Sequence, residues 1–187
     1  MRYPPEHKPS VRARIVEAAS RALRAEGLAA VSIPKLMKQC GLTHGGFYAH
    51  FDDRDTLVAE AVVFASGETG ERVLGGGTAD VAAMVDAYLS AEHVAHPEIG
   101  CVLAALGTDG AKSTAPVREA FAASARGFLR AVQKKLHPRS APATLGPDAL
   151  ALASRMIGAV VLARLVDDRD LADRILAAAR RTPGPTG

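Results

Sequence analysis

Apolar residues return every three or four positions along most of this 187-residue chain, and no segment alternates apolar and polar over a strand's length. A period of 3.6 buries one face of a helix, whereas a half-buried strand needs a period of two. Val11, Ile15, Ala18, Ala19, Ala22 and Leu23 make one such face, with Arg12, Arg14, Glu17, Arg21 and Arg24 opposite. Composition points the same way, since 37 alanines stand against only eight aromatic residues. Alanine is the best helix former, while sheets draw on branched and aromatic side chains. An all-α fold of about nine helices is expected, and sandwiches and barrels are excluded.

Start and stop signals divide the chain. Ser10 and Gly27 bracket a first helix over about 11–26. Ser32 caps a second, with Pro34 in its first turn, where a missing N–H costs little. Cys40-Gly41-Leu42 forms a tight turn, and Thr43 opens a very short third helix reaching Tyr48–His50. Asp52 or Asp53 caps a fourth, striped by Leu57, Val58, Ala61, Val62 and Ala65. Gly75-Gly76-Gly77 breaks the pattern, which resumes in helices near 79–95, 99–111, 116–136, 148–166 and 168–181. A Pro- and Ala-rich loop spans 137–147, and TPGPTG reads as a disordered tail.

Two cysteines, Cys40 and Cys101, are too few for a disulfide framework, so a reducing, cytoplasmic setting is expected. Met1 to Arg14 holds no apolar segment of the secretory kind, and Met156–Ala163 falls far short of the ~18–20 residues that span a bilayer. No membrane partner is expected. The formal charge of +3 hides an asymmetry. Residues 1–54 carry nine Lys/Arg against five Asp/Glu, whereas 55–187 carry 14 against 15. A basic excess confined to the first third suits a nucleic-acid surface, where phosphate neutralisation supplies much of the affinity. A solvated basic helix face would look the same by charge alone.

The run SIPKLMKQCGLTHGGFYAHF, Ser32 to Phe51, decides more. Two short helices joined by a Gly-containing turn make a helix-turn-helix, whose second helix enters the major groove while the first crosses the backbone. Gly45 and Gly46 within that second helix cost roughly 1 kcal/mol each relative to alanine. Glycine is useful there if a phosphate or base edge must come close. Phe47 and Phe51, four apart, can face the core while His44, Tyr48 and Arg54 face outward. A purely structural helical hairpin is the competing reading.

Residues 10–58 resemble the N-terminal domain of the TetR/AcrR transcriptional regulators, above all in Leu42-Thr43, Phe47-Tyr48 and His50-Phe51 followed by a charged residue and Leu57. The remainder matches only in the number, length and order of its helices. Two positions depart from the family pattern: Arg54 stands where Lys is common, and Gly46 where Thr is common. The resemblance implies residues 1–54 as a three-helix DNA-binding domain and 55–187 as a helical effector-binding and dimerisation domain. It implies that Thr43 caps the recognition helix and bonds a phosphate, that His44 and Gly45 lie nearest the base edges, and that Tyr48 and His50 reach phosphates. Arg54 would add its charge at the next helix start, and Ser32 and Lys35 would touch the flanking strand.

In the C-terminal third, Met156–Ala163 is apolar all round, so it must be covered on more than one side. An internal helix of a monomer would meet that need. The resemblance implies instead a dimer built by the last two helices, with Ile157, Val160, Val161, Leu171 and Ile175 at the interface. It also implies an effector pocket among the central helices, for which Met84, Tyr88, Leu103, Leu106, Phe121, Phe128 and Met156 are the apolar residues available; any of them could equally be core. Cys101 follows Gly100 near a helix start, where the dipole favours a thiolate. A Gly-Cys pair at this place resembles family members that sense electrophiles or oxidants, and a small buried residue is the alternative. His93 and His96 read as solvated histidines near a helix end, not metal ligands, so no metal and no cofactor are expected. The expected function is a homodimeric, ligand-responsive regulator, a repressor of a palindromic DNA operator released by a small molecule, and not an enzyme. A ligand-independent architectural DNA binder, or a small helical enzyme with a DNA-docking head, is the alternative.

Overall fold

The computed structural model describes residues 7–72, 80–139 and 145–181. Every element among them is helical, with nine α-helices and three short 3-10 segments. The Gly75–Gly77 break, residues 140–144 of the Pro-rich loop and the TPGPTG tail lie outside the described residues. In order these are α1 (His7–Glu26), a 3-10 turn (Leu28–Ala30), α2 (Ile33–Gln39), a 3-10 helix (His44–Ala49) and α3 (Arg54–Arg72). Then come α4 (Val81–Tyr88), α5 (Ala91–Ala95), a 3-10 turn (Pro97–Ile99), α6 (Val102–Ala111), α7 (Ala115–Leu136), α8 (Pro147–Leu165) and α9 (Arg169–Arg180).

Three boundaries differ from the sequence reading. Helix α1 begins at His7, so Ser10 lies inside it; Pro9 then falls in the first turn, where the missing N–H has no partner to lose. The expected helix over 79–95 is two, because Ser90 accepts a hydrogen bond from the His93 N–H and opens α5 anew. The His93 ring takes the Tyr88 carbonyl that an unbroken helix would give to residue 92. The short third helix, His44–Ala49, is a 3-10 helix and not an α-helix. The turn before it depends on Gly41, whose φ of 71° lies in the left-handed region.

The head packs α1, α2 and the 3-10 helix on the first half of α3. Ile15, Leu23, Met37, Phe47, Leu57 and Val62 are wholly excluded from solvent there. The core does not break at residue 54. It runs down α3 into Val102, Leu106, Val117 and Phe121, so α3 belongs to head and body alike. A second cluster joins α4, α6, α7, α8 and α9 around Tyr88, Met84, Met156 and Val160.

Candidate functional site

The outer face of the head is held from behind by arginines. Arg12 on α1 pairs its two terminal guanidinium nitrogens with Glu60 of α3, and its Nε–H donates to the His50 carbonyl at 3.2 Å. The same guanidinium lies 4.6 Å from the centre of the Phe51 ring, which stacks on Phe47. Arg14 donates to the Cys40 carbonyl at 3.1 Å. One helix thus grips the turn and the far end of the helix-turn-helix, and the short 3-10 segment needs little stability of its own.

On that scaffold Ser32, Lys35, Thr43, His44, Gly45 and Tyr48 are exposed, and His50 is half-buried. Tyr48 is 64% exposed and meets the edge of Phe47, with His44 6.2 Å away. Thr43 sits extended at the N-cap position, but its hydroxyl makes no capping bond to the helix. A Cβ on Gly45 would meet open space, whereas one on Gly46 would lie 3.5 Å from the Thr43 hydroxyl. Lys35 pairs with Glu26 at 3.2 Å, so a phosphate would have to compete for it.

Arg54 is placed differently from the expectation of an outward-reaching cation. Its Nε–H donates to the Val31 carbonyl at 2.9 Å and its Nη2 to the Leu28 carbonyl. The fork closes the α1–α2 connection by holding the 3-10 turn at its first residue, Leu28, and at its C-cap, Val31. Asp53 caps α3 through the Thr56 N–H at 2.7 Å, a bond that holds its carboxyl below the usual range.

Behind the head, α3, the start of α6 and α7 enclose an open cavity of about 370 Å³. Small residues face one another across it, Ser66, Gly67 and Gly70 on α3 against Ala123, Ser124 and Gly127 on α7. Cβ atoms on Gly67, Gly70 or Gly127 would touch nothing within 4 Å. The walls are mainly apolar, with one polar bridge where Ser66 Oγ donates to Ser124 Oγ at 2.7 Å. Cys101, Leu103 and Phe128 line this space. Met84, Tyr88 and Met156 lie instead in the α4–α7–α8 core, and Leu106 and Phe121 in the core that continues from the head. A groove of about 540 Å³ between α4, α8 and α9 holds none of these residues.

Cys101 is the N-cap residue of α6 and is 2% exposed. His93 is buried, contrary to the reading as a solvated histidine. Its Nδ1–H donates to the Tyr88 carbonyl at 2.6 Å, and its Nε2 accepts the Cys101 N–H at 2.9 Å. Both bonds suit the neutral ring, and burial pushes its pKa down to about 4. His96 is exposed and pairs with Glu98 at 3.1 Å. No cluster of three or more metal-ligating side chains occurs among the described residues. Cys40 is buried in the head, and burial raises its thiol pKa.

On the far side, α8 and α9 expose Leu162, Leu165 (75% exposed) and Leu171, with Ile157, Val161 and Ile175 half-buried beside them. Val160 differs: it points inward with Met156 and Ala163, one turn either way, and is wholly buried in the monomer. It belongs to the chain's own core and not to the outer face.

Residues 15–61 match the family model for bacterial regulatory proteins of the tetR family. That match spans the head alone. No curated protein matches the sequence. Among solved structures, a TetR transcriptional regulator from Chloroflexus aurantiacus superposes with a TM-score of 0.71 at 22% identity, covering 94% of each chain. The reduced form of NemR from E. coli gives 0.69 at 16% identity, over 91% of this chain and 95% of that one. AibR, solved with isovaleryl coenzyme A and operator DNA, gives 0.64 at 16%, over 91% and 96%. The whole chain therefore has the TetR regulator fold.

Several residues that build this fold escape a sequence reading. Arg12 and Arg24 read as polar-face charges, yet each spans to another element. The signal for the cavity was the recurrence of small residues at helical spacing, Ser66-Gly67-Gly70 and Ala123-Ser124-Gly127, not the apolar stripe. Leu162 and Leu165 were visible as apolar positions, but only the fold shows that they face outward.

Proposed function

We propose that this chain is a homodimeric transcriptional repressor that binds a palindromic DNA operator and is released by a small, largely apolar effector held between α3, α6 and α7. The observation that carries the reading is the exposed set Thr43, His44, Gly45 and Tyr48, on a segment pinned from behind by Arg12 at His50 and Phe51. Few of these side chains can make bidentate contacts to bases. Phosphate contacts and DNA shape then carry much of the selectivity. Ser32, Lys35 and His50 flank the set and contact backbone phosphates.

The apolar outer face of α8 and α9 supports a two-fold dimer through Ile157, Val161, Leu162, Leu165, Leu171 and Ile175. Such a dimer presents two recognition segments to half-sites about one turn, ~34–36 Å, apart. The cavity is within the size range of small-molecule sites. Its walls put Cys101, Leu103 and Phe128 against the effector, and AibR offers a precedent in which a ligand and operator DNA occupy one such fold. A thermal-shift screen of small apolar compounds tests this half: a binder at 100 times its Kd adds about 2.7 kcal/mol of stability. Footprinting of genomic fragments selected by the protein tests the other half. Protection that no compound relieves would favour the architectural reading.

A more specific reading follows from the position of Cys101 on the cavity wall. The effector is an electrophile with an activated double bond: the sulfur bonds to its β-carbon, the π bond breaks, and the thiol proton ends on the neighbouring carbon. Treatment with an enal or quinone then releases DNA, and Cys101→Ser abolishes the response. An identical response in the mutant contradicts this reading and leaves reversible binding in place.

A further inference from the structure

The Gly100–Cys101 peptide is held from two sides by side chains that no other part of the proposed function uses. From α1, Arg24 donates Nη1 to the Gly100 carbonyl at 2.9 Å, and its other nitrogens go to the Ser20 carbonyl, the Ser20 hydroxyl and Glu68 of α3. The Arg24 side chain is wholly buried. The Thr69 hydroxyl reaches the same carbonyl at 3.4 Å. From the other side, the Cys101 N–H donates to His93, and Arg164 of α8 donates to the His93 carbonyl at 2.6 Å. A side chain at position 100 has no room, since a Cβ would lie 2.7 Å from the His93 ring. This one peptide is therefore bonded directly to the head helix, linked through His93 to the outer helix α8, and joined through Cys101 and Val102 to the wall of the cavity.

We propose that the Gly100–Cys101 peptide is a latch that passes occupancy of the cavity to the DNA-binding head, with Arg24 as the positioning residue that makes α1 follow it. The inference rests on the reading of the cavity as the effector site. A group lodged against Cys101 and Val102 shifts the peptide away from its resting place. A buried guanidinium proton is costly to leave unpaired, so either α1 moves with the Gly100 carbonyl or the fork opens. Twelve residues along the same helix, about 18 Å away at 1.5 Å per residue, Arg12 holds His50 and Glu60. A displacement at one end of this rod is a displacement of the recognition segment at the other. The effector thereby favours one of two head positions, a population shift requiring only differential affinity.

The test uses N-ethylmaleimide as the occupant, in the full-length chain carrying Cys40→Ala so that Cys101 is the one thiol. Labelling is read by intact mass, and amide hydrogen exchange is followed along the chain. The latch predicts that labelling speeds exchange several-fold in residues 19–30 and 43–51 while α9 is unchanged. With Arg24→Lys, which keeps the charge beside Glu68 but not the fork, labelling proceeds and the head's response falls below twofold. Should that variant not fold, Glu68→Gln, which loosens the same fork, reduces the response by an intermediate amount. Labelling without a response in the head, an equal response in the variants, or a rise spread over the whole chain overturns the latch and leaves the effector site standing. Failure of native Cys101 to label at all overturns the latch and the electrophile reading together, and leaves reversible binding in the cavity standing.

Discussion

Tyr48 and Arg54 stand six residues apart in the same unit, and they are tied into it in opposite ways. Tyr48 projects from the 3-10 helix, 64% exposed, and the fold does not depend on its hydroxyl. Tyr48→Phe should weaken DNA binding by about 0.5–1.5 kcal/mol, the worth of one ordinary hydrogen bond, and leave the melting temperature within a degree. Arg54 closes the Leu28 and Val31 carbonyls. Arg54→Ala should cost about 1–3 kcal/mol of stability, seen as a lower urea midpoint before any DNA is added. An unchanged midpoint would return Arg54 to the role of a phosphate contact. His93 gives a prediction in pH. Its pKa is about 4 in the fold against 6.5 for the unperturbed ring. Its contribution to stability is therefore full above pH 6.5 and is lost as pH falls towards 4, because only the unfolded chain takes up the proton. The loss should approach roughly 3 kcal/mol at 1.36 per unit. Urea unfolding at pH 7 and pH 4.5 measures it, and His93→Gln should flatten the difference.

At the scale of elements, α3 and α7 show why small residues matter more than large ones at the cavity. Gly67 and Gly70 weaken α3, and Gly127 weakens α7, by about 1 kcal/mol each relative to alanine, and the missing side chains are the space between the helices. Gly127→Ala should therefore raise stability by roughly 0.5–1 kcal/mol while narrowing the cavity and weakening any ligand found for it. A gain in stability with undiminished ligand affinity would place the ligand elsewhere. Helix α8 has two apolar faces with different fates. Met156, Val160 and Ala163 fill the monomer's core, and Leu162 and Leu165 lie outside it. Leu165→Lys should convert a dimer to a monomer in sedimentation velocity with little loss of helix content.

Across the whole molecule, most of the architecture was legible because helix boundaries are written locally, by Gly27, Ser32, Gly41 and Asp53. The helix-turn-helix was legible for the same reason, since its turn and its Phe47–Phe51 spacing are short-range signals. Burial between distant segments was not. His93 is eight residues from Cys101, and Arg24 is 76 from Gly100, so nothing in the periodicity distinguishes these side chains from solvated ones. Likewise an apolar stripe says that a helix has an inside, but not whether that inside is core or cavity wall. Met84 and Phe128 illustrate the difference, since both belong to the second core cluster and only Phe128 also lines the cavity.

The proposed dimer has two heads that read a symmetric DNA site. Genomic fragments retained by the protein, footprinted at single-nucleotide resolution, test it most directly. The account predicts two protected half-sites in inverted repeat, with centres about one helical turn apart, and loss of both together in Leu165→Lys. Uniform protection without a repeat, or a footprint of the same extent from the monomeric variant, would contradict it.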